Sequence, residues 1–405
     1  MFLLKLAWKN MWRNRNRTII TMASIFFAVI LSVATSSLRQ GVFENLIKNV
    51  VSFYTGYMQV HKQGYQEEQI LDNSFEESVE TEHKILQEKN VSGVTPRLES
   101  FVLASTENIT KGCLLVGINP EKENEITVLK DKIIQGEYLK SDDNAVLLSM
   151  GLAEKLKLKV NDTLVLIGQG YHGSIAAGKY RVIGIARFGS PELNDKVIFM
   201  PLTLAQEFFS ASGMITSYIL SLHHTKNLEP TATTVAAELG NNFEVLTWGD
   251  LVPDIKQHIE TDTNNAKYVQ GVLYMLICFG IFGTSLMMMV ERKFEMGMLV
   301  AIGMTKIKLM ILFAIESIFT VLAGCLLGII ASIPLVYYFN RHPIKIGGDT
   351  AETYQRFGFE PIFPTSVDAS NFIRQGVIVV IIGLILSLYP MYKAMRVNPV
   401  SAMKK

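Results

Sequence analysis

Four stretches of this chain lack charge for long enough to cross a lipid bilayer, and no other feature constrains the fold as much. Thr18–Leu38 is uncharged between Arg17 and Arg39, and Tyr268–Val290 and Gln375–Tyr392 are uncharged throughout. The fourth, Leu309–Asn340, carries a single charge, Glu316. A spanning helix needs about 20 mostly apolar residues, which these runs meet or approach. Hydrophobic residues make up 49%, an ordinary share, yet the mean hydropathy is +0.26. The apolar residues are therefore concentrated in a few segments, and the remainder is polar. A net charge of +1 excludes a strongly basic nucleic-acid binder and an acidic disordered chain. Cys113, Cys278 and Cys325 are too few for a disulfide framework or a cysteine-rich zinc site.

The first run is longer than the about 7–15 apolar residues of a signal peptide, so it is expected to be a retained helix. Basic residues set the orientation. Lys5, Lys9, Arg13, Arg15 and Arg17 precede the first span, Arg292, Lys293, Lys306 and Lys308 crowd the second link, and Lys393, Arg396, Lys404 and Lys405 follow the fourth. Both termini and the 291–308 link are accordingly expected in the cytoplasm, with 39–267 outside. The expected plan is an amphipathic segment at 1–17, spans at 18–38, 268–290, 309–340 and 375–392, an outer loop at 341–374 and a tail at 393–405. Lys5, Lys9, Arg13 and Arg17 recur every fourth position beside Leu4, Trp8, Met11 and Trp12. That pattern suits a helix lying on anionic membrane lipid, or a basic flank that only sets topology.

The outer segment shows strand signals at Tyr57–His61 and Val94–Ser105, with a helical stretch from Phe75 to Glu88 between them. Ile215–Leu222, Leu228–Leu239 and Phe243–Leu246 repeat the strand–helix–strand order. A strand-rich block at about 133–201 separates the two. The predicted class is an α-helical membrane protein with four transmembrane helices plus an α+β extracytoplasmic domain, a βαβ layer interrupted by a small β insert.

One stretch imitates nucleotide chemistry: Gly168, Gly170 and Gly173 fit a GxGxxG spacing, and Gly178-Lys179 nearly completes a phosphate loop. A dinucleotide turn must open a helix whose N–H groups hold the phosphates. Here a strand-like Arg181–Ala186 follows, and Tyr180 stands where a small hydroxyl would ligate magnesium. A hairpin is predicted. The seven histidines lie outside the spans without metal-binding spacing, and His223 and His224, adjacent on a predicted strand, point to opposite faces. No catalytic residue, metal ligand or bound cofactor is expected.

Phe294–Met304 is too apolar for a solvated loop and too short to span. It reads as a short helix for a partner's groove, or as a turn lying on lipid. Met296, Leu299 and Val300, at i, i+3 and i+4, would share one face, and Gly297 and Gly303 would permit close approach and a sharp exit. Glu316 is costly inside a span and is expected to face the helix bundle in a structural or coupling role. Ser24, Ala28, Ser32 and Ser36 in the first span, with Gly324 and Gly328 in the third, allow helices to approach closely, within one chain or between two. A scarcity of intramembrane acids and the lack of an inverted repeat argue against a secondary transporter.

Leu6–Thr18 resembles the opening of the FtsX-like permeases of ABC transporters, which include macrolide-exporter and lipoprotein-releasing permeases. Glu291–Thr305 is similar to that family's coupling-helix motif, E-R-x-x-E-I-G-x-x-x-A-x-G. Glu316-Ser317 with Gly324 and Gly328, Tyr389-Pro390, and Val397–Ala402 are similar to its third span and C-terminal ending. Thr55–Tyr65 resembles the lipoprotein-releasing branch. The resemblance implies a porter-type outer domain, a second permease copy or paralogue, and a separate ATPase dimer that carries ATP and magnesium. It also implies coupling through Arg292, Phe294, Glu295, Met296, Gly297, Leu299, Val300 and Gly303. Motion of the ATPases would reach the outer domains without a channel, most simply to release lipoproteins from the inner membrane. Activation of an outer cell-wall hydrolase, or efflux of a drug or peptide, are the alternatives.

Overall fold

The computed structural model describes residues 2–13, 15–188, 191–349, 351 and 361–396. It divides into two compact units: Met1–Asn45, Ile259–Lys345 and Ile362–Lys405 form one, and Leu46–His258 with Ile346–Pro361 form the other.

Among the described residues four helices, lying wholly or mostly in the first unit, are long and apolar enough to cross a membrane: TM1 (Arg15–Val50), TM2 (Pro253–Glu291), TM3 (Lys306–Arg341) and TM4 (Ala369–Met395). Each extends past the uncharged run that announced it. Charge ends an apolar stretch but not a backbone hydrogen-bond ladder, so TM1 continues through Arg39, where Gln40 bonds Glu44 one turn on at 2.9 Å. The helices therefore run past the expected span limits at residues 38 and 268. The segment expected as one amphipathic piece at 1–17 is a helix at Phe2–Arg13 followed by the start of TM1 at Arg15. The loop at 341–374 contains a small hairpin, Ile344–Lys345 against Ile362–Phe363. Val397–Ala402 lies outside the described residues.

Glycine decides how TM1 and TM3 meet. A Cβ at Gly324 would fall 2.9 Å from the Met22 carbonyl and the Ile25 Cβ, and one at Gly328 would fall 2.8 Å from the Val29 Cβ. Ile25 and Val29 are fully buried against this face, with Ala28 nearly so. Ser32 donates to Gln375 Oε1 at 2.6 Å and Ser36 to Asn371 Oδ1 at 2.7 Å, while Tyr274 of TM2 reaches the same Gln375 oxygen. The small-residue stripe is thus spent inside the chain, on TM3 and on a polar seam with TM4. Only Ser24 points elsewhere, bonding the Ile20 carbonyl of its own helix.

The second unit is built on a ten-stranded sheet. Its strands are β1 (Met58–Lys62), β2 (Val91–Ser105), β3 (Thr110–Ile118), β4 (Ile133–Gly136), β5 (Ala145–Ser149), β6 (Thr163–Gln169), β7 (Ile175–Ala186), β8 (Val197–Pro201), β9 (Ser217–Leu222) and β10 (Phe243–Thr247). The order is β10-β1-β9-β2-β3-β8-β5-β7-β4, with β6 pairing both β2 and β7. β1 runs antiparallel to β9, and β9 antiparallel to β2, so β1 and β2 are parallel strands with β9 inserted between them. By the same reasoning β9 and β10 are parallel around β1. The helix Val79–Gln87 joins the first pair and Leu228–Leu239 the second.

The helix expected from Phe75 starts at Val79, capped by the Ser78 hydroxyl. Phe75-Glu76 instead pairs with Met214-Ile215. The block at 133–201 is not a separate all-β piece: it contains the helix Met150–Leu156, and its strands continue the main sheet. The glycine-rich stretch forms the predicted hairpin, Gln169 opposite Ile175. Strand β2 joins the two parts because its first half pairs β9 and its second half β3 and β6.

At that junction Arg97 is fully buried, held by Glu123 at 2.6 Å and Glu99 at 3.3 Å and stacked over Tyr54 at 4.5 Å. Three acceptors and a ring are what a buried guanidinium requires. Lys132 lies close by, donating to the Thr127 carbonyl at 2.7 Å. Burial lowers its ammonium from 10.5 to about 8.

Two outcomes follow from this packing. Gly328→Leu should force TM1 and TM3 apart and destabilise the helical unit by about 1–3 kcal/mol, measured as a drop in thermal unfolding temperature in detergent. In the outer unit, the unfolded chain keeps the Lys132 proton up to about pH 10.5 while the folded chain releases it near 8. The unfolded state therefore binds more protons in that window, and stability rises with pH across it by at most about 1.4 kcal/mol per pH unit. Lys132→Met should remove this increment, so the wild-type and variant unfolding curves should diverge in slope between those two pH values.

Candidate functional site

The apolar link between TM2 and TM3 is a helix, Lys293–Ala301. Its start is set by Arg292, whose backbone leaves the helical line, and its end by Gly303 at φ +105°, a conformation side chains resist. Met304 N donates back to the Leu299 carbonyl at 3.0 Å, closing the turn before Thr305 caps TM3. The short helix is thereby clamped between two punctuation points.

Its faces differ from the sequence expectation. Met296 is 1% exposed, packed with Met289, Leu309, Phe313 and Ala394, with Leu299 and Val300 partly covered at the edge of that cluster. Gly297 is also buried. Met296 is therefore an internal anchor rather than a docking side chain. The outward face carries Phe294, Met298 and Ile302, at 56%, 39% and 78% exposure. These sit at i, i+4 and i+8, one turn apart along one side.

Beneath the short helix lies a charged node. Arg292 is 3% exposed and Glu316 5%, and the Arg292 Nη1 pairs with the Glu316 carboxylate. Asn10 of the N-terminal helix donates to the other Glu316 oxygen at 3.0 Å, and its carbonyl accepts from Arg292 Nη2 at 3.4 Å. Arg292 also stacks 5.6 Å over the Phe313 ring. Glu295 lies 3.9 Å from Arg292 Nε and pairs with Arg13 at 3.0 Å. The N-terminal helix, the short helix and TM3 are thus joined by one chain of charge-assisted bonds. A cavity of about 40 Å³ adjoins it, lined in part by Thr21, Ser285, Thr320 and Ser387.

The sequence named Arg292, Glu295 and Glu316 separately; it did not pair them, and it missed Asn10 and Arg13 as partners. No local pattern marks Asn10, which reaches a carboxylate 306 positions away. In the outer unit His61 is a satisfied core side chain. It bonds the Thr216 carbonyl at 3.0 Å and Gln59 at 2.9 Å and stacks on Tyr65. Burial lowers its pKa. The bonds of the node hold the N-terminal helix, the short helix and TM3 to one another.

A family model described as FtsX-like permease C-terminal matches residues 269–399, and one described as MacB-like periplasmic core domain matches residues 18–238. The lipoprotein-releasing system transmembrane protein LolC of Xylella fastidiosa is 22% identical over 332 residues, 78% of each chain. The macrolide export ATP-binding/permease protein MacB of Escherichia coli is 22% identical over 414 residues, 98% of this chain but 59% of that protein's length. The periplasmic region of MacB from Actinobacillus actinomycetemcomitans aligns at 15% identity and a TM-score of 0.35, covering 52% of this chain and 96% of that one.

Removing one member of the node should expose its dependence on the pair. Glu316→Ala leaves a buried guanidinium without its carboxylate and should cost about 3–5 kcal/mol in the stability of the helical unit. The double change Arg292→Met with Glu316→Met should recover most of that loss, since apolar replacement of both partners is far less costly. Thermal unfolding of wild type, Arg292→Met, Glu316→Met and the double variant gives the coupling energy directly.

Proposed function

This chain belongs to the FtsX-like permeases with a MacB-like periplasmic core domain, and on that premise we propose that it is the permease subunit of an ABC transporter driven by an ATPase on another chain. ATP and magnesium would be bound there, and this chain would hold no cofactor. The single observation that carries the reading is the short helix between TM2 and TM3. It presents Phe294, Met298 and Ile302 outward while its other side is fixed to TM3 through Met296 and to the Arg292–Glu316 pair. An apolar helical face at i, i+4 and i+8 is a shape that a groove on a partner accepts. A helix so tethered cannot be pushed without displacing TM3 and the N-terminal helix.

In this proposal the termini and the short helix face the cytoplasm of a bacterial inner membrane, as the distribution of lysine and arginine supports. Two copies, or this chain and a paralogue, would flank an ATPase dimer. TM1 and TM2 continue in sequence into the outer residues and would carry the displacement there. We propose release of lipoproteins from the membrane as the task, supported by the likeness to LolC and by Thr55–Tyr65. Efflux is the second reading, favoured by the match to MacB over 98% of this chain.

Met298→Asp and Ile302→Asp should insert and fold normally yet lose the ATPase in pull-downs from matched membranes. A charge placed in an apolar contact costs several kcal/mol. Met296→Asp should instead disrupt the internal cluster and lower the unfolding temperature. Full recovery of the ATPase by both surface variants would remove the coupling role of this helix. Mass spectrometry of what co-purifies with the intact complex distinguishes acylated protein from a small-molecule substrate.

A further inference from the structure

A groove of about 340 Å³ lies between the N-terminal helix, the beginning of TM1 and the middle of TM3. Trp8, Trp12, Ile19, Met22, Phe319 and Leu326 form most of its wall, and among the described residues Arg15 is the only charged one that lines it. The wall is a consequence of the node. Asn10, bonded to Glu316, fixes the N-terminal helix across TM3. Trp8 then meets Phe319 edge-on at 6.2 Å, and Trp12, one turn along, packs on Trp8 at 6.0 Å. Both indoles stay half exposed, at 53% and 60%, and Ile19, Leu322 and Leu326 on the adjoining helices are exposed as well. Indole rings in that position are typical of the boundary between hydrocarbon and headgroups.

The chemistry of the groove defines its occupant. Along its length the wall offers carbon, which suits a hydrocarbon chain. Arg15 lines the groove, and Lys5 and Lys9 are exposed elsewhere on the N-terminal helix; among the described residues none of the three has an ion-pair partner. An apolar slot lined by one unneutralised cation, Arg15, is complementary to an acyl chain ending in an anionic phosphate. A second copy seated here about a two-fold axis would set one basic N-terminal helix against another, like charge on like. We infer that this groove is a binding site for one anionic phospholipid, its acyl chain against Trp8, Trp12 and Phe319 and its phosphate at Arg15. The site is separate from the helix face assigned to the ATPase, and a bound lipid would brace the N-terminal helix against TM3.

Tryptophan fluorescence reads the site directly. The chain has three tryptophans, and Trp248→Phe leaves only the two in the groove. The full chain carrying that change is reconstituted into phosphatidylcholine vesicles containing either brominated phosphatidylglycerol or brominated phosphatidylcholine at the same low mole fraction. Phosphatidylglycerol should compete for the site about fivefold better, the equivalent of about 1 kcal/mol for one cation near an anionic headgroup. Arg15→Gln should abolish the preference and Arg15→Lys should keep it. Ala323→Phe, which fills the groove without altering charge, should lower quenching by both lipids. Equal quenching by the two lipids in the wild type would overturn the inference. A preference unchanged in Arg15→Gln would overturn it in favour of a diffuse basic surface. Protection from both lipids in the wild type would show the face to be covered by protein.

Discussion

The pairing of Arg292 with Glu316 is the interaction on which the helical unit depends. A carboxylate one third of the way along an apolar helix is tolerable only if a cation comes to it, and the cation comes from the residue that begins the short helix. Asn10 takes the remaining oxygen, so the N-terminal helix is drawn into the same network. Because the bonds join three separate helical segments, the position of each is set by the other two. Separating Arg292 from Glu316 would leave two charges buried without their partner.

Around that node, close helix packing is achieved by subtraction. Gly324 and Gly328 remove side chains where TM1 crosses TM3, and the space is filled by Ile25 and Val29. Hydroxyls and amides on TM1, TM2 and TM4 then satisfy one another through Ser32, Ser36, Tyr274, Asn371 and Gln375. Small residues permit approach and polar ones fix rotation, a division of labour suited to helices that gain little from hydrophobic contact in lipid. The outer unit solves a different problem, with one long strand, β2, pairing β9 through its first half and β3 and β6 through its second, and a buried arginine at the point of exchange.

The glycine-rich loop shows how local pattern misleads when the next element is ignored. Its spacing matches phosphate-binding signatures, but strand β7 follows where a helix would be needed, so its N–H groups enter a ladder with β6 and are not free to gather around an anion. The strand propensity of Arg181–Ala186 already carried that answer. The helix limits carried less: charge marks where a segment leaves hydrocarbon, and TM1 and TM2 stay helical well past that point.

Composition and periodicity by themselves determined the four spans, the short helix between the second and third, and the strand–helix–strand repeats of the outer unit. Each follows from local backbone satisfaction and the length of an apolar run, which a sequence states openly. Tertiary structure alone decided which face of the short helix is free. Met296, Leu299 and Val300 share a face in any helix, but only the arrival of Leu309, Phe313 and Ala394 from distant segments makes that face internal and leaves Phe294, Met298 and Ile302 outside. The same holds for Glu316, whose partners lie 24 and 306 residues away, and for the interior use of Ser32, Ser36 and Gly324. Amphipathicity names a side; what covers it depends on contacts between residues far apart in the chain, and no local pattern encodes them.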